Sequence, residues 1–137
     1  MCFKAAAQRG GVMNSAGYLH SRDHAWIMVE GDVGTIGMTD YAQREMGAIE
    51  HLDLPEIEDT VEAGEPYGSV ESCKAVMEIF SPITGEITAV NAMLSEHPEL
   101  INQSPCRDGW IIKVRIERPE ELKELLSREK YEEYLQK

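Results

Sequence analysis

Apolar and polar positions alternate in short runs, and turn residues punctuate them closely. AWIMVE (25–30) reads as a strand, Gly31-Asp32 as a turn, and VGTIGM (33–38) as its hairpin partner. TDYAQREMG (39–47) predicts a short helix, with Thr39 or Asp40 as cap and Gly47 at a left-handed stop. AIEHLDLP (48–55) alternates until Pro55 halts it, and DTVEAGEPYG (59–68) reads as a connection rich in acids and glycine. GSVES (68–72) and AVMEIFS (75–81) are two strand-like runs on either side of Lys74. Pro82, Thr84 and Gly85 make a turn, and GEITAVNAM (85–93) is a further strand. HPELINQSPCRDG (97–109) reads mostly as loop, and GWIIKVRIE (109–117), dense in β-branched residues, is the clearest strand. PEELKELLSREKYEEYLQK (119–137) reads as helix, started by Pro119. Its two apolar faces are Leu122, Leu125, Leu126 and Tyr131, Tyr134, Leu135. Many short strands with regular turns and peripheral helices predict a mainly β sandwich or barrel of antiparallel sheets.

Length makes this one domain with a core of its own: 137 residues need no staples. The chain has 25 acidic and 13 basic side chains, a formal charge of −12, and the acids are spread along it. Nucleic acid is a poor partner for such a surface, because phosphate binding needs a basic footprint. No apolar run has the length of a membrane span. Three cysteines (Cys2, Cys73, Cys106) include no Cys-x-x-Cys pair, which argues for a reducing compartment and against a disulfide scaffold or zinc site. His20 and His24 are four apart, but no third ligand stands near them, so no metal is expected. The first 22 residues contain no acid but carry Lys4, Arg9 and Arg22. Residues 1–17 are therefore set apart as an extension, a presequence remnant or an expression scar, and 18–137 is the domain.

No phosphate loop, dinucleotide fingerprint or catalytic triad is visible, so the remaining candidate is Lys74. An ordinary lysine near pH 7 is protonated and a poor nucleophile. Schiff-base work would need burial or a cationic neighbour, and the nearest charge in sequence is the acid Glu71. Lys74 thus reads as an attachment point at a hairpin tip, where a second enzyme can enclose it. Taken alone, such a lysine is more often a solvated turn residue. Cys73 reads as a small half-buried hydrophobe, and Trp26 and Trp110 as core.

The neighbouring blocks decide between these readings. Glu71-Ser72-Cys73-Lys74-Ala75, followed by Phe80-Ser81-Pro82 and Gly85-Glu86, resembles the attachment hairpin of the glycine cleavage system H-protein family. GMTDYAQREMG (37–47), the run from His51 to Ser72, PELIN (98–102), GWIIKV (109–114) and YEEYL (131–135) resemble further blocks of that family in the same order. Biotin carriers have Met on both sides of the lysine, and lipoyl domains of 2-oxo-acid dehydrogenases have an acid directly before it; this chain has neither. It departs from the family at Ser21-Arg22-Asp23-His24-Ala25-Trp26, where Lys-x-His-Glu-Trp is frequent. It departs again at Cys73 in place of Val and at Met46 in place of Leu.

The resemblance implies a barrel-sandwich hybrid of the lipoyl/biotinyl-domain kind with a C-terminal helix. It implies lipoic acid in amide linkage on Lys74, Glu71 and Gly85 as recognition residues for the lipoylating enzyme, and Asp23 and His24 in a pocket for the loaded arm. The implied role is non-catalytic: a monomer carrying the aminomethyl group of glycine among three enzymes. These are a pyridoxal-phosphate glycine decarboxylase, a tetrahydrofolate-dependent aminomethyltransferase and dihydrolipoyl dehydrogenase. The alternative is a depot that relays lipoyl groups to 2-oxo-acid dehydrogenase complexes. The compartment would be the mitochondrial matrix or a bacterial cytoplasm, and the acid-free N-terminus favours the matrix.

Overall fold

The computed structural model describes residues 18–136, and the set-apart N-terminal residues lie outside them. Nine strands form two antiparallel sheets. β1 (Tyr18–His20), β2 (Ala25–Glu30), β3 (Val33–Met38), β9 (Ile112–Ile116), β8 (Gly85–Val90) and β5 (Thr60–Val61) lie in that order in a six-stranded sheet. β4 (Ile49–Asp53), β6 (Pro66–Ser72) and β7 (Val76–Phe80) form a three-stranded one. Short helices α1 (Asp40–Met46), α2 (Met93–Glu96), α3 (Leu100–Gln103) and α4 (Arg128–Leu135) stay at the periphery, with a 3-10 turn at Pro119–Glu124.

The inward face of each sheet supplies one half of the core. Ile27, Ile36, Ile87, Ile112 and Val114 come from the large sheet and meet Ile49, Leu52, Val70 and Ile79 from the small one. Each side chain of this kind that leaves water stabilises the fold by about 1.5–3 kcal/mol. Ile83, Leu94, Ile101 and Ile111, from the connections, complete the same cluster. Trp26 is buried too, and its Nε1–H donates to the Pro105 carbonyl at 2.9 Å.

The departures from the sequence pattern have physical causes. The 59–68 connection contains β5 and the start of β6, because Thr60 and Val61 pair with Glu86 and Gly85. The 97–109 loop contains α3, and the strand begun at Gly85 stops at Val90 before the turn of α2. The C-terminal segment is not one helix. Leu126 exchanges both backbone bonds with His20 of β1, at 2.8 and 2.7 Å, which pulls the chain out of helical geometry. Helix α4 restarts at Ser127, whose hydroxyl accepts from the Lys130 N–H. Trp110, expected in the core, is only partly buried and lies beside Lys113, whose Nζ is 5.3 Å from its ring.

Candidate functional site

β6 and β7 form a hairpin in register Glu71↔Val76, and its tip carries Cys73, Lys74 and Ala75. The Ser72 N–H donates to the Ala75 carbonyl at 2.8 Å, closing the turn. The buried Ser72 hydroxyl accepts from the Lys74 N–H at 3.3 Å. Lys74 is therefore exposed on a backbone held from beneath. Cys73 is exposed beside it, contrary to its half-buried reading, because a turn residue has no facing strand to cover it.

The Lys74 stem does not stand alone in solvent. Thr39 caps α1 by accepting from the Ala42 N–H, and Gly47 ends the helix at φ 79°, a conformation that favours glycine. A Cβ at Gly47 would lie 3.4 Å from Lys74 Cε and 3.9 Å from Nζ. The lysine stem thus passes over the C-terminal corner of α1, where helix carbonyls favour positive charge.

Glu71 is exposed one residue before Ser72, on the outward face of the hairpin. Gly85 is buried at the start of β8. A Cβ there would collide with the Arg115 carbonyl of the neighbouring strand, so close strand approach accounts for a glycine at this position.

Asp23 and His24 lie in the tight turn between β1 and β2. The Ser21 hydroxyl accepts from both the Asp23 and Ala25 N–H groups, and His24 takes φ 69°. His24 Nδ1 lies 2.8 Å from the Tyr131 hydroxyl, which also lies 2.8 Å from Thr39 Oγ1. Tyr41 and Tyr134 flank the same imidazole, with ring centroids at 4.8 and 6.1 Å. Partial burial lowers the His24 pKa below the ordinary value, and the charges of Asp23 and Glu45 oppose it. Burial raises Tyr131 to about 12, so its hydroxyl keeps its proton at neutral pH. A cleft of about 190 Å³ opens between α1 and α4, lined by His20, Trp26, Thr39, Tyr41, Tyr131 and Leu135.

Lys74 and this aromatic cleft stand at opposite ends of α1. Tyr41 is on its first turn and Gly47 at its end, about 9 Å apart along the axis at 1.5 Å per residue. Of the residues around His24, the sequence had marked Tyr131 and Tyr134 as an apolar helix face and as part of the YEEYL block, without a role at a site. Tyr41 had no periodic signal, and neither did Asn102, whose bonds join α1 to β4. Among the described residues, no group of three or more His, Cys, Asp or Glu is placed to hold a metal. Cys106 is disulfide-bonded, so the odd cysteine count had not excluded a crosslink.

Two antiparallel sheets with a single lysine offered at a hairpin tip define a barrel-sandwich hybrid of the lipoyl-domain kind. The chain belongs to the glycine cleavage H-protein family, whose model matches residues 18–137. The glycine cleavage system H protein of Rubrobacter xylanophilus is 45% identical over 113 residues, covering 82% of this chain and 87% of that protein. That of Bacillus cytotoxicus is 46% identical over 114 residues, covering 83% and 90%. The crystal structure of the H protein from Mycobacterium marinum superposes with a TM-score of 0.81 at 31% identity, over 88% of this chain and 98% of that one. These relatives are bacterial and give no support to the mitochondrial matrix.

Proposed function

We propose that this H-protein carries lipoic acid in amide linkage on Lys74 and passes the aminomethyl unit of glycine between the component enzymes of the glycine cleavage system. The observation that carries the reading is the exposed Lys74, on a turn tied down by Ser72, in a chain of this family. The residues suit the group. The amine is accessible, its backbone is fixed, and among the described residues no carboxylate forms an ion pair with it. When bound, the lipoyl group supplies a disulfide ring at the end of a long arm. The chain supplies the presentation, and catalysis belongs to the partners: a pyridoxal-phosphate decarboxylase, a tetrahydrofolate-dependent aminomethyltransferase and dihydrolipoyl dehydrogenase. One tethered arm gives three active sites a high effective concentration of the same group.

Glu71, exposed beside the turn, is proposed as a contact of the lipoylating enzyme. Gly85 would act there indirectly, by letting β8 approach β9. The more open pocket next to that cleft, lined by His24, Tyr41, Tyr134 and Leu135, is proposed as the resting place of the arm, since an extended acyl-lysine is long enough to run along α1. There the His24 imidazole, itself in contact with the Tyr131 hydroxyl, offers a polar contact and the Tyr41 and Tyr134 rings apolar ones, with Asp23 adjoining His24 in the turn. The bacterial relatives favour the cytoplasmic setting over the matrix.

The test is intact mass with peptide mapping after incubation with a lipoylating enzyme and lipoate. Wild-type chain gains one lipoyl group on Lys74, and Lys74→Arg, which keeps the charge, gains none. Loaded wild type then supports glycine decarboxylation with the pyridoxal enzyme. A folded wild-type chain that gains no mass overturns the reading.

A further inference from the structure

We infer that Asn102 is a positioning residue for acylation of Lys74, acting through the α1–β4 corner on which the lysine rests. The inference rests on the reading of Lys74 as the lipoyl attachment. Asn102 lies on α3, far from Lys74 in sequence, and its side-chain amide makes three bonds to one place. Its NH₂ donates to the Gly47 carbonyl at 2.9 Å and to Gln43 Oε1 at 2.8 Å. Its Oδ1 accepts from the Ile49 N–H at 2.9 Å. Both donors and the acceptor are thus engaged, and all three partners lie between the last turn of α1 and the first residue of β4.

Two routes lead from that corner to Lys74. Gly47 lies under the lysine stem, close enough that a Cβ there would touch Cε. Ile49 pairs with Ser72 in the small sheet, and the Ser72 hydroxyl accepts from the Lys74 N–H. One route sets the side chain and the other sets the backbone. The corner has few bonds of its own. Gly47 N–H closes the helix on the Gln43 carbonyl at 3.0 Å, and the β4–β6 register shifts between Ile49 and His51. A shifted register leaves the start of β4 less constrained than a regular ladder would. Asn102 supplies that constraint from outside the sheet.

The chemistry makes the constraint matter. Acylation joins Nζ to the carbonyl of an activated lipoyl donor; the activating group leaves, and the ammonium gives up two protons in becoming an amide. The rate depends on how often Nζ is held in line with that carbonyl, so a loosened corner costs rate even when the enzyme still binds.

The experiment compares wild type, Asn102→Ala, Asn102→Asp and Ser127→Ala, each as the full chain at a temperature where it is folded. Asn102→Asp keeps an acceptor for Ile49 but aims oxygen at Gly47 and Gln43. Ser127→Ala removes a helix cap on α4 and serves as the control for a general loss of stability. Lipoylation is followed by mass with a lipoylating enzyme, giving kcat and KM separately, and amide exchange is read at 47–49 and 72–75. Both Asn102 variants lose about tenfold in kcat, as expected for a misaligned reacting group, with KM within about twofold. Exchange speeds up at 47–49 and 72–75 in both, while Ser127→Ala keeps wild-type kinetics and exchange there. Wild-type kcat in the Asn102 variants overturns the inference alone, and so does an equal loss in Ser127→Ala. A wild-type chain that takes no lipoyl group overturns the reading of Lys74 and this inference with it.

Discussion

His20 is fully buried, stacked 4.8 Å from the Tyr131 ring at an interplanar angle of 13°. Burial, assisted by the charge of Arg128 and opposed by the Leu126 carbonyl, lowers its pKa from 6.5 to about 4. Between those values the unfolded chain binds a proton that the native state refuses. The stabilisation is whole above pH 6.5 and is lost as pH falls towards 4, and His24, also lowered, acts in the same direction. From pH 7 to pH 5, before most carboxylates titrate, His20 should cost about 2 kcal/mol of stability. Urea denaturation at the two pH values measures this, and His20→Leu, similar in volume, should show a flatter dependence. Equal slopes in wild type and variant would show that His20 is not the group responsible. At this scale the sequence was informative about Lys74 because its neighbours form a motif. Asn102 and Tyr41 lay inside further family-like blocks, but nothing local said what they touch, because their contacts join residues far apart in the chain.

Ser127 shows why one element was misread. Lys123 to Leu126 has the composition of a helix, and propensity alone runs straight through it. Two backbone bonds to β1 outweigh that preference, and the chain must start a new helix three residues before Lys130. A serine followed by charged residues was the only local mark of the restart. Ser127→Ala should cost about 1 kcal/mol, the usual worth of a helix N-cap, with Ser127→Asn close to wild type. Chemical denaturation checks the magnitude, and amide exchange should accelerate first at 128–131, loosening Tyr131 and with it the hydrogen bond to His24. The strands were more legible than this segment because a two-residue alternation survives wherever one face packs on a core. β5, with only two residues, is too short to show a period, and its pairing with β8 was invisible for that reason.

Charge acts over the whole molecule. The net value of −12 is not concentrated in a tail, and the small sheet carries its share around the lysine. The register places Asp53, Ser69 and Glu78 in one row and His51, Glu71 and Val76 two residues along on the same face, with Asp53, Glu71 and Glu78 exposed. Val76, 69% exposed, is an apolar point in that acidic setting, next to the turn that bears Lys74. An enzyme that encloses Lys74 has to approach this field, so a basic rim on the enzyme would gain encounter rate and lose it as salt screens the charges. Lipoylation measured as kcat/KM should fall about fivefold between roughly 20 mM and 500 mM salt, since the screening length shrinks from tens of ångströms to a few. The saturated rate kcat should stay nearly constant, because steering affects encounter and leaves the aligned amine unchanged. Glu78→Lys, which reverses one charge of the face away from the turn bonds, should lower kcat/KM at low salt and flatten its salt dependence. A kcat/KM independent of salt, or an unaltered slope in Glu78→Lys, would mean that contacts at the turn itself, Val76 among them, govern the encounter and that the acidic face serves solubility.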